Sequence, residues 1–200
     1  GPWDETKHAK WVLRRLLSDA ALDMQASIYF VLHDYPSLLE GGPNRGRMGT
    51  NRKGLYRWGS WQRKPAAHAF AHLSSLLDDR FESVAAASPV GFEITAPGSL
   101  AAPKRELIKT YRLKHKLSGQ PALVYWLGVP MATKFQPARV TLMWSGADLV
   151  RPVLVDLLDG RVYALPHEAP SGQLRLENLP LADSPLVVCS RDAVELAVQE

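Results

Sequence analysis

The chain has 200 residues, 46% hydrophobic and 22% charged, with one cysteine and a formal charge of +4. These values exclude a disordered chain and a disulfide framework. No apolar run approaches the roughly 20 residues a membrane-spanning helix requires, and the N-terminus GPWDETKHAK lacks the apolar core of a signal peptide.

A first helix is expected from Asp4, which can cap it, with Glu5 in the first turn where the helix dipole favours negative charge. Trp11, Val12, Leu16, Ala20 and Met24 recur at helical spacing, and Arg14, Arg15 and Asp19 fall largely on the other side. The run Ala26-Ser27-Ile28-Tyr29-Phe30-Val31-Leu32 then has the composition of a strand buried on both faces, and it stops at His33-Asp34-Tyr35-Pro36. A helix feeding such a strand suggests an α/β layer with a parallel sheet. Polar residues at the carboxyl end of such strands are where α/β folds place their sites.

Residues 37–63 read as one long loop, a length that usually marks function. A second helix is expected to open at Pro65, with Phe70, Leu73 and Leu77 as its stripe and Asp78-Asp79 at its end. Beyond residue 80 prolines punctuate the chain and strand-like runs replace helices. These are Pro121–Val129, Ala138–Trp144, Val153–Leu158, Arg161–Leu165, Gln173–Leu176 and Pro185–Cys189, with Asp159-Gly160 as a hairpin turn. Their spacing is that of an antiparallel sandwich or barrel. Cys189 lies in an apolar run and reads as a core residue.

The expected organisation is thus α/β over residues 1–82 followed by an all-β unit over 88–200. One strand and two helices cannot bury a strand that is apolar on both sides. The first segment therefore reads as the last piece of a larger α/β unit whose earlier strands lie outside this chain.

Several phrases carry a resemblance. Gly54-Leu55, then Lys64-Pro65-Ala66 and His68-Ala69-Phe70, follow the predicted strand in the order found after the eighth strand of (β/α)8-barrel glycoside hydrolases. Glu5 to Arg15 is similar to the seventh barrel helix of that clan. Asp156 to Gly160, and Gly172 to Val188 with its Leu179-Pro180-Leu181 and Ser184-Pro185-Leu186, resemble the close of the β-sandwich that many of these enzymes carry. The nearest resemblance is to family 39, with its xylosidase, iduronidase and exopolysaccharide-cleaving members.

The resemblance implies a fold: the terminal piece of a (β/α)8 barrel followed by an antiparallel β-sandwich. It implies a function: part of a hydrolase cleaving glycosidic bonds in an oligo- or polysaccharide. Retaining glycosidases use two carboxylates about 5–5.5 Å apart, one as acid/base and one as nucleophile. Their expected positions precede Gly1, so no catalytic residue is expected in this chain. No cofactor or metal is implied. The expected partners are a carbohydrate substrate and the missing N-terminal part of the same barrel, with no membrane span. Secreted or periplasmic location is favoured slightly over cytoplasmic. The alternative is a non-catalytic carbohydrate-binding or assembly protein.

His33, Asp34 and Tyr35 stand where the eighth strand would emerge into the sugar site. There Asp34 would accept hydroxyl hydrogen bonds and Tyr35 would stack on or bond a sugar; the plainer reading is a turn capped by Asp34. Trp3 would lie in the loop after the seventh strand. Arg45 and Arg47, in the long loop, suit a uronic or otherwise acidic polysaccharide because guanidinium pairs bidentately with carboxylate. Solvated loop charge is the simpler reading. Trp58 would face a sugar or pack inside, and packing is favoured for Trp61. His68 and His72 have a zinc-like spacing but no third ligand. Basic residues are dispersed, with small clusters at Arg45/Arg47, Arg52-Lys53 and Lys104-Arg105, and no nucleic-acid motif appears. No nucleic-acid partner is expected.

Overall fold

The computed structural model describes residues 4–38, 46–84, 89–101, 103–166 and 172–194. Helix α1 (Glu5–Ala21) starts as expected: the Asp4 carboxylate accepts from the Lys7 backbone N–H at 2.9 Å. That cap and the adjacent dipole hold the Asp4 carboxyl below its ordinary range. Its buried stripe is Ala9, Val12, Leu13 and Leu17. The expected stripe was rotated: Trp11 is 45% exposed, and Met24 lies beyond the helix end.

Residues 26–32 are a second difference. They run extended but form no strand; Ile28, Phe30 and Leu32 are exposed, and only Tyr29 turns inward to pack beside α1. Val31 has φ 90°, a region that β-branched residues rarely adopt. The expected parallel sheet is absent among the described residues, where every ladder between strands is antiparallel. The loop expected over 37–63 contains half of a small hairpin, β1 (Tyr35–Leu38) with β2 (Met48–Asn51).

Helix α2 (Pro65–Leu76) opens on proline, whose missing N–H costs nothing at a first turn. Ala66, Ala67 and Ala69 are buried with Leu73 and Leu76, and these small side chains let α2 lie close against α1. Phe70 and Leu77 are half-buried against the same cluster.

Two antiparallel sheets follow. The larger comprises β3 (Phe81–Ser83), β5 (Ile108–His115), β6 (Pro121–Leu127), β8 (Pro152–Asp156), β9 (Val162–Ala164) and β11 (Leu186–Ser190), in the order β3-β5-β6-β11-β8-β9. The smaller places β7 (Ala138–Ser145) between β4 (Val90–Ala96) and β10 (Gln173–Leu181). Alternation along β6 explains the stacking. Ala122, Val124 and Trp126 belong to the core shared with the helices. Leu123, Tyr125 and Leu127 belong to the core shared with Leu142, Trp144, Leu174 and Leu176 of the smaller sheet. The larger sheet is thus covered on one face by the helices and on the other by the smaller sheet. That is why β6 is apolar throughout and β8 and β11 are apolar up to their last residues, Asp156 and Ser190. Among the described residues the architecture is mixed, with two α-helices and mostly antiparallel strands, and it is compatible with a β-sandwich portion.

Asp159-Gly160 turns the β8–β9 hairpin, as expected, with Gly160 at φ 76°. A Cβ there would sit 2.6 Å from the His72 ring, so α2 closes onto this turn. Cys189 is fully buried, and burial pushes its thiol up to about 12. Native protein should therefore resist a small alkylating reagent at neutral pH and react promptly in denaturant; rapid native labelling would contradict this placement.

Helix α1 is bolted to the sandwich by polar groups. Lys10 Nζ donates to Asp183 Oδ1 at 2.6 Å and to the Ala132 carbonyl at 2.7 Å. The other Asp183 oxygen accepts the Ala132 N–H at 2.8 Å. Arg14, expected on the solvent side, instead donates to the carbonyls of Leu127, Val129 and Asp183 at 2.7–2.8 Å.

Candidate functional site

The candidate site gathers where the extended segment ends. Asp34 is 5% exposed. Its Oδ1 accepts the Gly54 N–H and the Lys64 ammonium, both at 2.9 Å. Lys64 is fully buried and also donates to the Arg52 carbonyl at 2.7 Å. Backbone bonds complete the clamp: Leu55 and Tyr56 donate to the Leu32 carbonyl, Asp34 donates to Tyr56, and Lys64 donates to Leu55. Gly54 must be glycine here, since a Cβ would come within 2.1 Å of the backbone of His33 and Asp34. The Gly-Leu and Lys-Pro-Ala phrases are therefore two halves of one junction that fixes residues 32–34 to the start of α2.

Beneath the clamp lie His8 and Tyr29. The Tyr29 hydroxyl donates to the Lys53 carbonyl, so His8 Nε2, 2.5 Å away, must be the donor to the tyrosine oxygen. Burial, with Asp34 nearby, raises the Tyr29 hydroxyl to about 12. Burial first, and the Lys64 charge second, lower His8 from 6.5 to about 4. The consequence for stability has a definite sign. Between pH 6.5 and 4 the unfolded chain binds a proton at this position and the folded chain does not. Stability is full above pH 6.5 and falls by about 3 kcal/mol as pH drops towards 4. His8→Gln should remove that share of the acid-side slope in denaturant titrations taken across the window. An unchanged slope would contradict it.

At the solvent side of the clamp the His33 ring stands edge-on to Trp61 with centroids 4.7 Å apart, and 5.5 Å from Trp58. His33 Nδ1 donates to the Asp34 carbonyl at 2.7 Å. Trp58 and Trp61 are 54% and 61% exposed. A tight turn presents them: Arg57 N–H donates to Gln62 and Trp61 N–H to Arg57, with Gly59 at φ 76° and Trp61 at φ 55°. The Arg57 guanidinium grips both Glu5 carboxylate oxygens, at 2.6 and 3.1 Å, and so ties the turn to α1.

The structure therefore brings His33 and Trp58 together and adds Trp61, which sequence reasoning had favoured as a packed residue. Asp34 serves inside the clamp, where its Oδ1 already meets two donors. Tyr35 is half-buried, and its hydroxyl accepts from Asn51 Nδ2 at 3.0 Å. Arg47 is exposed at the head of β2. Trp3 and Arg45 lie outside the described residues. His8 and Tyr29 were missed because nothing in their spacing marks them; Lys64 carried a signal, as a lysine immediately before a helix-opening proline.

Among the described residues no three His, Cys, Asp or Glu side chains gather as a metal site, and no helix is long and apolar enough to cross a membrane. No family model matches the chain, and neither a curated protein nor a solved structure matches it.

Proposed function

We propose that this chain is the C-terminal portion of a retaining (β/α)8-barrel glycoside hydrolase of the family 39 type, acting on an oligo- or polysaccharide, with both catalytic glutamates outside the chain. The supporting observation is the segment 26–32. It is extended and carries apolar side chains outward, and among the described residues no strand pairs with its backbone from 26 to 31. It also runs between two packed helices. An eighth barrel strand separated from its neighbours has these properties, and Ile28, Phe30 and Leu32 would be covered by the remainder of the barrel. The clamp at Asp34 and Lys64 would then hold His33, Tyr35 and the Trp58 turn at the carboxyl end of the barrel, facing substrate. Within this reading Asp34 is a positioning group, and Trp3, Arg45 and Arg47 belong to the flanking loops.

The test is to express the chain with the residues that precede Gly1. A strand ending in glutamate shortly upstream, whose Glu→Gln variant loses hydrolysis of an aryl glycoside, is expected. No such glutamate, or turnover by the present chain alone, would overturn the proposal. A second reading, a non-catalytic carbohydrate-binding protein, has one observation in its favour: the Trp58/Trp61 surface is complete in this chain and needs no carboxylate.

A further inference from the structure

The loop that carries the tryptophans has an unusual charge distribution. Residues 46–64 contain Arg47, Arg52, Lys53, Arg57, Arg63 and Lys64 and no acidic residue, against a net charge of only +4 for the whole chain. The segment alone carries +6, more than the whole chain, and unlike the other basic stretch at 104–116 it contains no carboxylate. Two of the six are neutralised internally, Lys64 by Asp34 and Arg57 by Glu5. Arg47, Arg52, Lys53 and Arg63 are exposed, and among the described residues no carboxylate pairs with them. Three of these lie in backbone joined to the aromatic turn: Tyr56 bridges to both His33 and Arg63, and the Arg52 and Lys53 carbonyls accept from Lys64 and Tyr29.

A second feature points to a ligand independently of charge. Trp61 is held at φ 55°, where a bulky side chain is strained, and that backbone turns a large apolar ring into water instead of into the core. Exposed indoles flanked by cations suit a ligand with flat apolar faces and an anionic edge.

We infer that His33, Trp58 and Trp61, with Arg52 and Arg63, form a subsite for an anionic saccharide, one whose pyranose rings carry carboxylate groups. The indoles take the apolar ring faces and the guanidinium groups take the carboxylates. This rests on the glycan-facing reading of the loop given above, and adds the charge class of the ligand.

Calorimetric titration of the chain with short oligogalacturonates, their methyl-esterified counterparts and a single-stranded oligonucleotide tests it. The ester keeps the ring and removes only the charge. Binding of the acid form that weakens about tenfold for the ester, and again for Arg52→Gln/Arg63→Gln, is expected, as is loss with Trp61→Ala. All three substitutions are at exposed side chains, and unchanged melting curves confirm that the fold is retained. Equal binding of acid and ester, indifferent to the arginine variant, overturns the anionic assignment and leaves the glycan reading standing. Binding of the oligonucleotide at least as tight as the uronate, and unaffected by Trp61→Ala, overturns both. No binding of any saccharide also overturns the subsite, while the hydrolase reading is decided separately by the upstream glutamate.

Discussion

Replacing Lys64 by methionine is expected to cost about 3–5 kcal/mol of folding stability, a large part of what a domain of this size has. The reason is asymmetric. Methionine keeps most of the stem volume, so packing loses little. What is lost is, among the described residues, the one cation bonded to Asp34, whose carboxylate is then left buried with the Gly54 N–H as its donor. An unpaired buried charge costs far more than the pair contributes. The Arg52 carbonyl loses its donor as well. Combining Lys64→Met with Asp34→Asn should recover much of the loss, because the neutral amide can still accept the Gly54 N–H. Urea denaturation of the two single variants and the double variant measures this. A cost below about 1 kcal/mol for Lys64→Met would mean that water reaches the pair and that the clamp is not what holds the loop. Tryptophan fluorescence supplies a local readout, since release of residues 52–56 would free the Trp58/Trp61 turn from His33.

The sandwich was legible and the helix-side unit only partly so, and the physics differs in each case. Strands β6, β8 and β11 announce themselves because both faces are buried, giving unbroken apolar runs such as Ala122 to Leu127. β5 lies beside them with Lys109, Arg112 and Lys114 in its sequence, and β4 carries glycine and glutamate; neither has a pattern that composition can separate from a loop. The same reasoning that finds β6 expects a strand at residues 26–32, which run extended with no strand paired to them among the described residues. An apolar run says only that burial is wanted, and strand formation also needs a neighbour to pair with. The helix faces were misplaced for a related reason. Arg14 looks like a solvent residue until the sandwich supplies three carbonyls for its guanidinium to meet. Of the site, the Gly-Leu and Lys-Pro-Ala phrases were visible as motifs. Their joint role was not, because the clamp is made by Asp34, 30 positions before Lys64. Trp61 was misjudged because burial is the default for indole, and only a turn with positive φ at Gly59 and Trp61 turns it outward.

Asp183→Ala should cost a comparable 3–5 kcal/mol, and its distinguishing mark is where the loss appears. Lys10 and Asp183 are 4% and 1% exposed, and they join the first helix to the turn before β11 across 173 residues of sequence. Removing the carboxylate strands the Lys10 ammonium inside and leaves the Ala132 N–H without its acceptor. Arg14 can still reach backbone carbonyls, so α1 is not released outright. Hydrogen exchange should therefore show faster opening of α1 amides than of β6 or β11, whose ladders lie within the sandwich. Lys10→Met alone should cost nearly as much, and the double variant little more than either single one, giving a coupling energy of about 2 kcal/mol or more. The Arg15–Asp19 pair is the internal control. It joins one turn of the same helix; its arginine is 57% exposed and its carboxylate, though 8% exposed, also accepts from Ser27, so Arg15→Ala should cost no more than about 0.5 kcal/mol. If both pairs cost the same, burial is not what gives the Lys10–Asp183 link its weight, and the helices are held to the sheet by the apolar cluster and the Arg14 bonds.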